Sequence, residues 1–260
     1  MRLLFKRFRT MEAGCGCVVG QRRANNEDNF LFRGIHLGQK NSGLDRTLTW
    51  NTSLKSPAYF AVFDGMGGEA NGEEAAWIAA KTLQEYTYRL PGNRVSLENV
   101  CLKANERICK RARERGAGLE GTTAAILCLH DMEAEIANLG DSRLFLLRDK
   151  KLRQLSVDHT DQALLQAQRI TGRKPRLTQH LGIEPEELVI QPYVSRMETC
   201  VGDRFLLCTD GLTDMVEEED IRQILGALLP MDRTVEELIA RALEGGGRDN
   251  ITVICCEVLS

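Results

Sequence analysis

Residues 60–76 read FAVFDGMGGEANGEEAA. An apolar run, Phe60-Ala61-Val62-Phe63, ends on a carboxylate, Asp64, and passes at once into Gly65-Met66-Gly67-Gly68. A short apolar run closed by glycines reads as a buried strand. The acid at its end has two readings. Aspartate is frequent in turns because its side chain bonds its own backbone; it is also a cation ligand, and a following glycine lets the main chain approach an ion and offer its carbonyl.

The arrangement recurs. Segment 203–211, DRFLLCTDG, delivers Asp210 and then Gly211 from another apolar strand. Asp249 lies in GGGRDN before a final strand, Asp141 in NLGDSR between two strands, and Glu27 and Asp28 in RRANNED after the first strand. Strand ends hold side chains to within fractions of an ångström, which a ligand set requires. Asp149, in Arg148-Asp149-Lys150-Lys151, reads as an ordinary turn residue. Two carboxylates about 4 Å apart repel by about 4 kcal/mol at an effective dielectric near 20, so several converging acids need cations among them. An all-oxygen set selects hard ions, Mg²⁺ or Mn²⁺. None of the four histidines, His36, His130, His159 and His180, stands in a ligand motif for zinc or iron.

Around these points the sequence predicts strands at 13–19, 28–33 and 58–63, with 38–57 as a polar loop. It predicts helices over 70–89 and 96–115, where apolar residues recur at helical spacing. Strands follow at 122–129, 134–139, 143–148 and 152–156, then a mixed basic segment, 158–186. Further strands are expected at 187–194, 203–209 and 250–258, and helices at 217–229 and 234–244, the last opened by a capping box of Thr234 and Glu237. Strands in consecutive runs, set apart from paired helices, argue an α+β fold of mostly antiparallel sheets rather than βαβ alternation.

The chain has 260 residues, 43% of them hydrophobic, enough for one large core, and one domain over 1–260 is expected. Its 34 basic and 37 acidic residues give a net charge of −3, no footing for general nucleic-acid binding. The nine cysteines make no C-x-x-C pair and sit mostly in apolar runs, which fits a reducing cytoplasm. The basic opening MRLLFKRFRT reads as a frayed end or a lead-in to the first strand rather than a membrane contact. No stretch approaches the roughly 20 apolar residues of a spanning helix.

Taken in order, RRANNEDNF (22–30), VFDGMGG (62–68), GTTAAIL (121–127), NLGDSRLFLL (138–147), LLCTDGLTD (206–214) and GGGRDNITV (245–253) resemble the landmarks of the PP2C (PPM) metal-dependent protein serine/threonine phosphatases, in their bacterial form. The resemblance implies an αββα sandwich with a dinuclear Mn²⁺ or Mg²⁺ site at one edge. Asp64 would bridge both metals, the Gly65 carbonyl would ligate one, and Asp210 and Asp249 would hold the other. Glu27 and Asp28 match acids that stand behind the ligands and orient the reacting water, and Asp141 with Asp210 matches a third-metal site of bacterial members. Arg23 matches the arginine that grips the substrate phosphate, while Arg22 is a solvated charge. Segment 158–186 corresponds to a short flap, whose Arg169, Arg173, Lys174 and Arg176 are opposed only by Asp161, Glu184 and Glu186; it reads either as a solvated loop or as a surface that attracts acidic phosphopeptides. Where eukaryotic members often carry a histidine considered as general acid, Met66 stands here.

The implied reaction is hydrolysis of phosphoserine and phosphothreonine by a metal-activated water without a phosphoenzyme. Phosphorylated proteins and a cognate Ser/Thr kinase system are the expected partners of a monomer. Rival readings remain. Cys17 and Arg23 fit the minimal Cys-x₅-Arg spacing of cysteine phosphatases, but so do Cys101 with Arg107 and Cys109 with Arg115. The others are a two-metal phosphohydrolase acting on a small molecule and a catalytically silent phosphoprotein-binding relative, although the acids Asp64, Asp210 and Asp249 are all present.

Overall fold

A computed structural model describes residues 8–66, 72–89, 92–116 and 121–260. Strands β1 (Thr10–Val18), β2 (Asp28–Phe32), β3 (Leu48–Ser53) and β4 (Ala58–Met66) come first, followed by helices α1 (Gly72–Arg89) and α2 (Leu97–Arg115). Then come β5 (Gly121–Thr122), β6 (Ala124–His130), β7 (Glu133–Leu139), β8 (Arg143–Arg148) and β9 (Lys151–Gln154). The remainder is α3 (Gln162–Ala167), β10 (Tyr193–Glu198), β11 (Arg204–Cys208), α4 (Asp210–Thr213), α5 (Glu218–Gly226), α6 (Met231–Glu244) and β12 (Ile251–Leu259).

These strands form two antiparallel sheets, ordered β3-β1-β12-β11-β8-β9 and β10-β7-β6-β4-β2, with the short β5 also paired to β4. Three apolar layers separate the elements. Phe30, Phe60, Val62, Leu127, Leu144, Leu207 and Ile254 fill the space between the sheets. Ala75, Ala79, Leu83, Val100 and Ile108 seat α1 and α2 on the second sheet. Ile221, Leu225, Val235 and Leu238 seat α5 and α6 on the first. The order is helix, sheet, sheet, helix, as the sequence implied. Each sheet is covered on both faces, so its strands read as continuous apolar runs instead of alternating ones.

Several boundaries differ from expectation. The run after Phe63 does not leave the sheet at Asp64: β4 continues to Met66, because Gly65 and Met66 pair with Thr122 and Gly121 of β5. The polar insertion 38–57 contains β3, an edge strand whose alternating half-exposed residues pair with β1. The strand expected at 187–194 lies at Tyr193–Glu198 instead, zipped to β7. Helix α6 begins at Met231, directly after Pro230, which presets the backbone for a helix start. Thr234 is therefore not a cap: it is buried inside the helix, its hydroxyl bonded to the Pro230 carbonyl. The expectations for 1–7 and for Gly67 and Gly68 fall outside the described residues.

Candidate active site

The candidate site is built by strand register. Asp28 opens β2 and lies opposite Asp64 of β4 in the antiparallel pair. The Asp64 main chain is fixed on its other side, its N–H donating to Thr123 Oγ1 at 3.1 Å and its carbonyl accepting from Thr122 Oγ1 at 2.9 Å. Gly65 N–H donates to the Glu27 carbonyl at 3.2 Å. A side chain is excluded there, since a Cβ on Gly65 would stand 2.2 Å from the Gly72 carbonyl oxygen. Asn250 clamps the β1–β2 loop at three points: its Oδ1 accepts from Glu27 N–H at 2.8 Å, and its Nδ2 donates to the carbonyls of Val19 and Asn25, each at 2.9 Å. Asp249, one residue earlier, is thereby brought beside Glu27. Asp210 starts α4 at the end of β11, and Asp141 sits in the tight turn between β7 and β8.

A cavity of about 550 Å³ results, lined by Arg23, Glu27, Asp64, Gly65, Asp141, Asp210 and Asp249. Asp28 lies beneath its floor, 1% exposed. All eight residues singled out from the sequence are thus in one place, drawn from five separate stretches of chain. Arg22 is exposed, as expected of a solvated charge.

The electrostatics are those of crowded acids. Burial first, then the charges of Asp210, Asp28, Asp141 and Asp249, raise the Asp64 carboxyl well above the ordinary range. Burial, aided by Asp210 and Asp249 against the hydrogen bonds from Thr252 and Thr209, pushes Asp28 up to about 7. Burial and Asp210 push Asp141 up to about 6. Glu27 is raised as well, by burial, although Arg23 opposes this. Two cationic side chains answer the excess charge. Arg23 Nη2 donates to Asp249 Oδ2 at 2.7 Å, and Lys174 Nζ donates to Asp210 Oδ2 and Asp214 Oδ2, each at 2.6 Å.

As the side chains stand, no group of three histidine, cysteine or acidic residues among the described residues is drawn tight enough to cage an ion. The donor set nevertheless fits hard divalent cations. It is all oxygen, largely buried and mutually repelling, and two of its members have each taken a positive side chain as partner.

The flap departs from its expectation. Arg173 pairs with Asp161, Lys174 reaches across to Asp210 and Asp214, and Glu184 pairs with Arg113. Two of its four basic residues, Arg173 and Lys174, are therefore engaged within the chain. Lys174, Pro175, Arg176, Leu177 and His180 form one wall of the cavity. Sequence reasoning also missed Thr123, Ser142, Thr209, Thr252 and Asn250, which brace the acids. The only signal was adjacency, since Thr209 precedes Asp210 and Asn250 follows Asp249.

The cysteine-phosphatase reading fails on burial. Cys17 is inaccessible, and burial together with the nearby Asp28 charge pushes its thiol up to about 12, the reverse of an activated nucleophile. All nine cysteines are free, and Cys200 alone is exposed.

Comparison with known proteins gives the family and the fold. Residues 35–245 match the family model of protein phosphatase 2C. The chain belongs to that family. It is 30% identical over 231 residues to the serine/threonine protein phosphatase PstP of Mycobacterium tuberculosis (H37Rv), an alignment covering 86% of this chain and 45% of PstP. The chain thus spans about half the length of that curated relative. It is 33% identical over 211 residues to the serine/threonine phosphatase stp of Listeria monocytogenes (EGD-e), covering 75% of this chain and 82% of stp. Among solved structures, the catalytic domain of PstP in complex with two manganese ions superposes with a TM-score of 0.77 at 28% identity, covering 97% of this chain and all of that one. Among the described residues, no helix is long and apolar enough to cross a membrane.

Proposed function

We propose that the chain is a single metal-dependent phosphatase domain that hydrolyses phosphoserine and phosphothreonine in proteins. The observation that carries the reading is the convergence of Asp28, Asp64, Asp141, Asp210 and Asp249 around one cavity that also presents the Arg23 guanidinium. Asp64, the Gly65 carbonyl, Asp210 and Asp249 would hold two Mn²⁺ or Mg²⁺ ions, with Glu27 and Asp28 behind them and Asp141 joining Asp210 at a third. Such ions, when bound, lower the pKa of water and neutralise charge on a phosphoryl group in an in-line displacement.

The chain's own residues do the rest. Arg23 sits at the cavity mouth, 46% exposed along its side chain, and its planar fork suits the non-bridging oxygens of a phosphate monoester. Gripping a phosphate would require Arg23 to release Asp249, whose carboxylate would then be free to hold a cation. Bound cations would favour the ionised form of Asp28, Asp64 and Asp141, whose burial otherwise favours the protonated one. The flap wall leaves the cavity open on one side, which suits a phosphorylated side chain on a protein surface.

The resemblance to bacterial serine/threonine protein phosphatases supports a cognate Ser/Thr kinase as the source of substrates. Nine reduced cysteines support a cytoplasmic setting. The test is release of phosphate from phosphothreonine and phosphoserine peptides with and without Mn²⁺, with a chelator arm and an iodoacetamide arm. Mn²⁺-dependent release, abolished by chelator and spared by alkylation, is expected. Release from small phosphate esters alone would move the substrate away from proteins, and no release at all would leave a phosphoprotein-binding relative.

A further inference from the structure

Cys17 is the far end of a buried hydrogen-bond chain that terminates on Asp28. Thr209 Oγ1 donates to Asp28 Oδ2 at 2.9 Å, and Thr252 Oγ1 donates to the same oxygen at 2.7 Å. The Thr209 hydroxyl accepts the Thr252 main-chain N–H at 3.0 Å, so its own proton is left for the carboxylate. Thr252 Oγ1 lies 3.2 Å from Cys17 Sγ. With its single proton committed to a charged acceptor, the stronger bond, the hydroxyl can only accept from the thiol. Asn26 closes the chain, its Nδ2 donating to Cys17 Sγ at 3.2 Å and its Oδ1 accepting the Asp28 N–H at 3.2 Å. Every member is buried.

We propose that Thr209 and Thr252 are positioning residues for Asp28: by occupying Oδ2 from behind, they set the rotation of the carboxylate so that Oδ1 is presented to the cation site. The terminal torsion of aspartate is broad and roughly two-fold, so backbone register alone does not fix which oxygen faces forward. Two hydroxyl donors on one oxygen do. Oδ1 receives no hydrogen bond among the described residues. A purely structural pair of buried threonines would be satisfied by main-chain carbonyls, as Thr82 and Thr234 are. Here both protons go to an acid that already faces the charges of Asp210 and Asp249. Stabilising more negative charge at that point is useful only where a cation is to be received. Cys17 belongs to the same device as the donor behind Thr252.

This inference rests on the metal-dependent reading, and a double-mutant cycle separates the two. Mn²⁺ binding to the metal-free chain is measured by isothermal titration calorimetry, and p-nitrophenyl phosphate turnover at saturating Mn²⁺, for wild type, T209V, T252V, T209S, T252S, D28N and D28N combined with each valine. Each valine is expected to weaken Mn²⁺ binding and lower kcat by about 10–100-fold, the usual cost of losing a group that orients a ligand, with KM held within about threefold. Serine restores both, and in the D28N background the valines cost nothing further. Valine effects equally large in D28N, or Mn²⁺ affinity and kcat unmoved by valine, overturn the assignment. Should wild type bind Mn²⁺ yet turn over no substrate, the calorimetric cycle still decides the positioning role while the phosphatase reading falls. A valine variant that fails to fold by circular dichroism is replaced in the cycle by the other threonine's.

Discussion

Asp28 and Asp64 face each other directly across the β2–β4 pair, two carboxylates at register positions where like charges repel. Both carboxyls are raised, Asp28 to about 7. For an acid with a folded pKa above its unfolded value near 3.9, the folded state binds the extra proton, so stability is complete below the unfolded pKa and is lost as pH rises through the folded one. In chelator, the melting temperature is expected to rise between pH 8 and about pH 6, where Asp28 and Asp141, at about 6, take up protons. Excess Mn²⁺ should reverse that slope, because cations require the ionised form. Calorimetric melts at several pH values decide it; a chelated protein that weakens on going from pH 8 to 6 does not carry this repulsion.

Asp64→Ala should abolish turnover yet leave the chain folded, since relief of the repulsion with Asp28 and Asp210 offsets the lost ligand. In chelator its melting temperature should equal or exceed that of wild type. Circular dichroism alongside the phosphate-release assay reads both, and an unfolded variant would mark the acid as structural.

Arg23 holds Asp249 at 2.7 Å and stands 3.9 Å from Glu27. Arg23→Ala should lower kcat/KM by about 10²–10³, as loss of one donor to developing phosphoryl charge does. Mn²⁺ affinity should hold or rise, because Asp249 is freed. Equal losses in Mn²⁺ binding and turnover would place Arg23 in the metal cluster and not on the substrate.

Lys174 is paired with Asp210, and a cation held by Asp210 would have to displace it. Its ion pairs are half-exposed and worth about 1 kcal/mol or less, so Lys174→Ala should leave the melting temperature nearly unchanged. The Mn²⁺ concentration for half-maximal activity should fall. A midpoint equal to that of wild type would show the contact to be incidental.

Gly211 admits no side chain, because a Cβ would lie 1.9 Å from the Asn250 carbonyl oxygen. Gly211→Ala should cost about 1–3 kcal/mol, the range for overpacking, and should lower Mn²⁺ affinity with it, since Asn250 carries Asp249. Denaturant melts with Mn²⁺ titration test the linkage; a variant as stable as wild type would mean that the loop yields freely.

The acids were legible because they punctuate strands: an apolar run followed by Asp-Gly is visible without knowing what the strand packs on. Their supports were not. Thr209 and Thr252 acquire meaning only when register brings their hydroxyls to Asp28, and Lys174 only when the flap folds back onto an aspartate 36 residues away. Strand β3 was hidden because LTWNTS lies at a sheet edge and is only half covered, so its composition resembles a loop. Strand β10 was misplaced because Leu188, Val189 and Ile190 offer a more apolar run than the half-exposed residues that actually pair with β7. Pro230 masked the start of α6, since proline signals a break and a helix start with equal force.

Strand β12 lies between β1 and β11, and its register joins Leu259 to Thr10. A chain made only as far as Asn250 therefore has a sheet with its middle missing and its Asp249 unanchored, whatever its earlier residues have already formed. Such long-range closure is slow, so newly made copies pass through an interval in which they are present but mute, and a nonsense mutation anywhere before Ile251 yields a polypeptide without a site instead of a weakened enzyme.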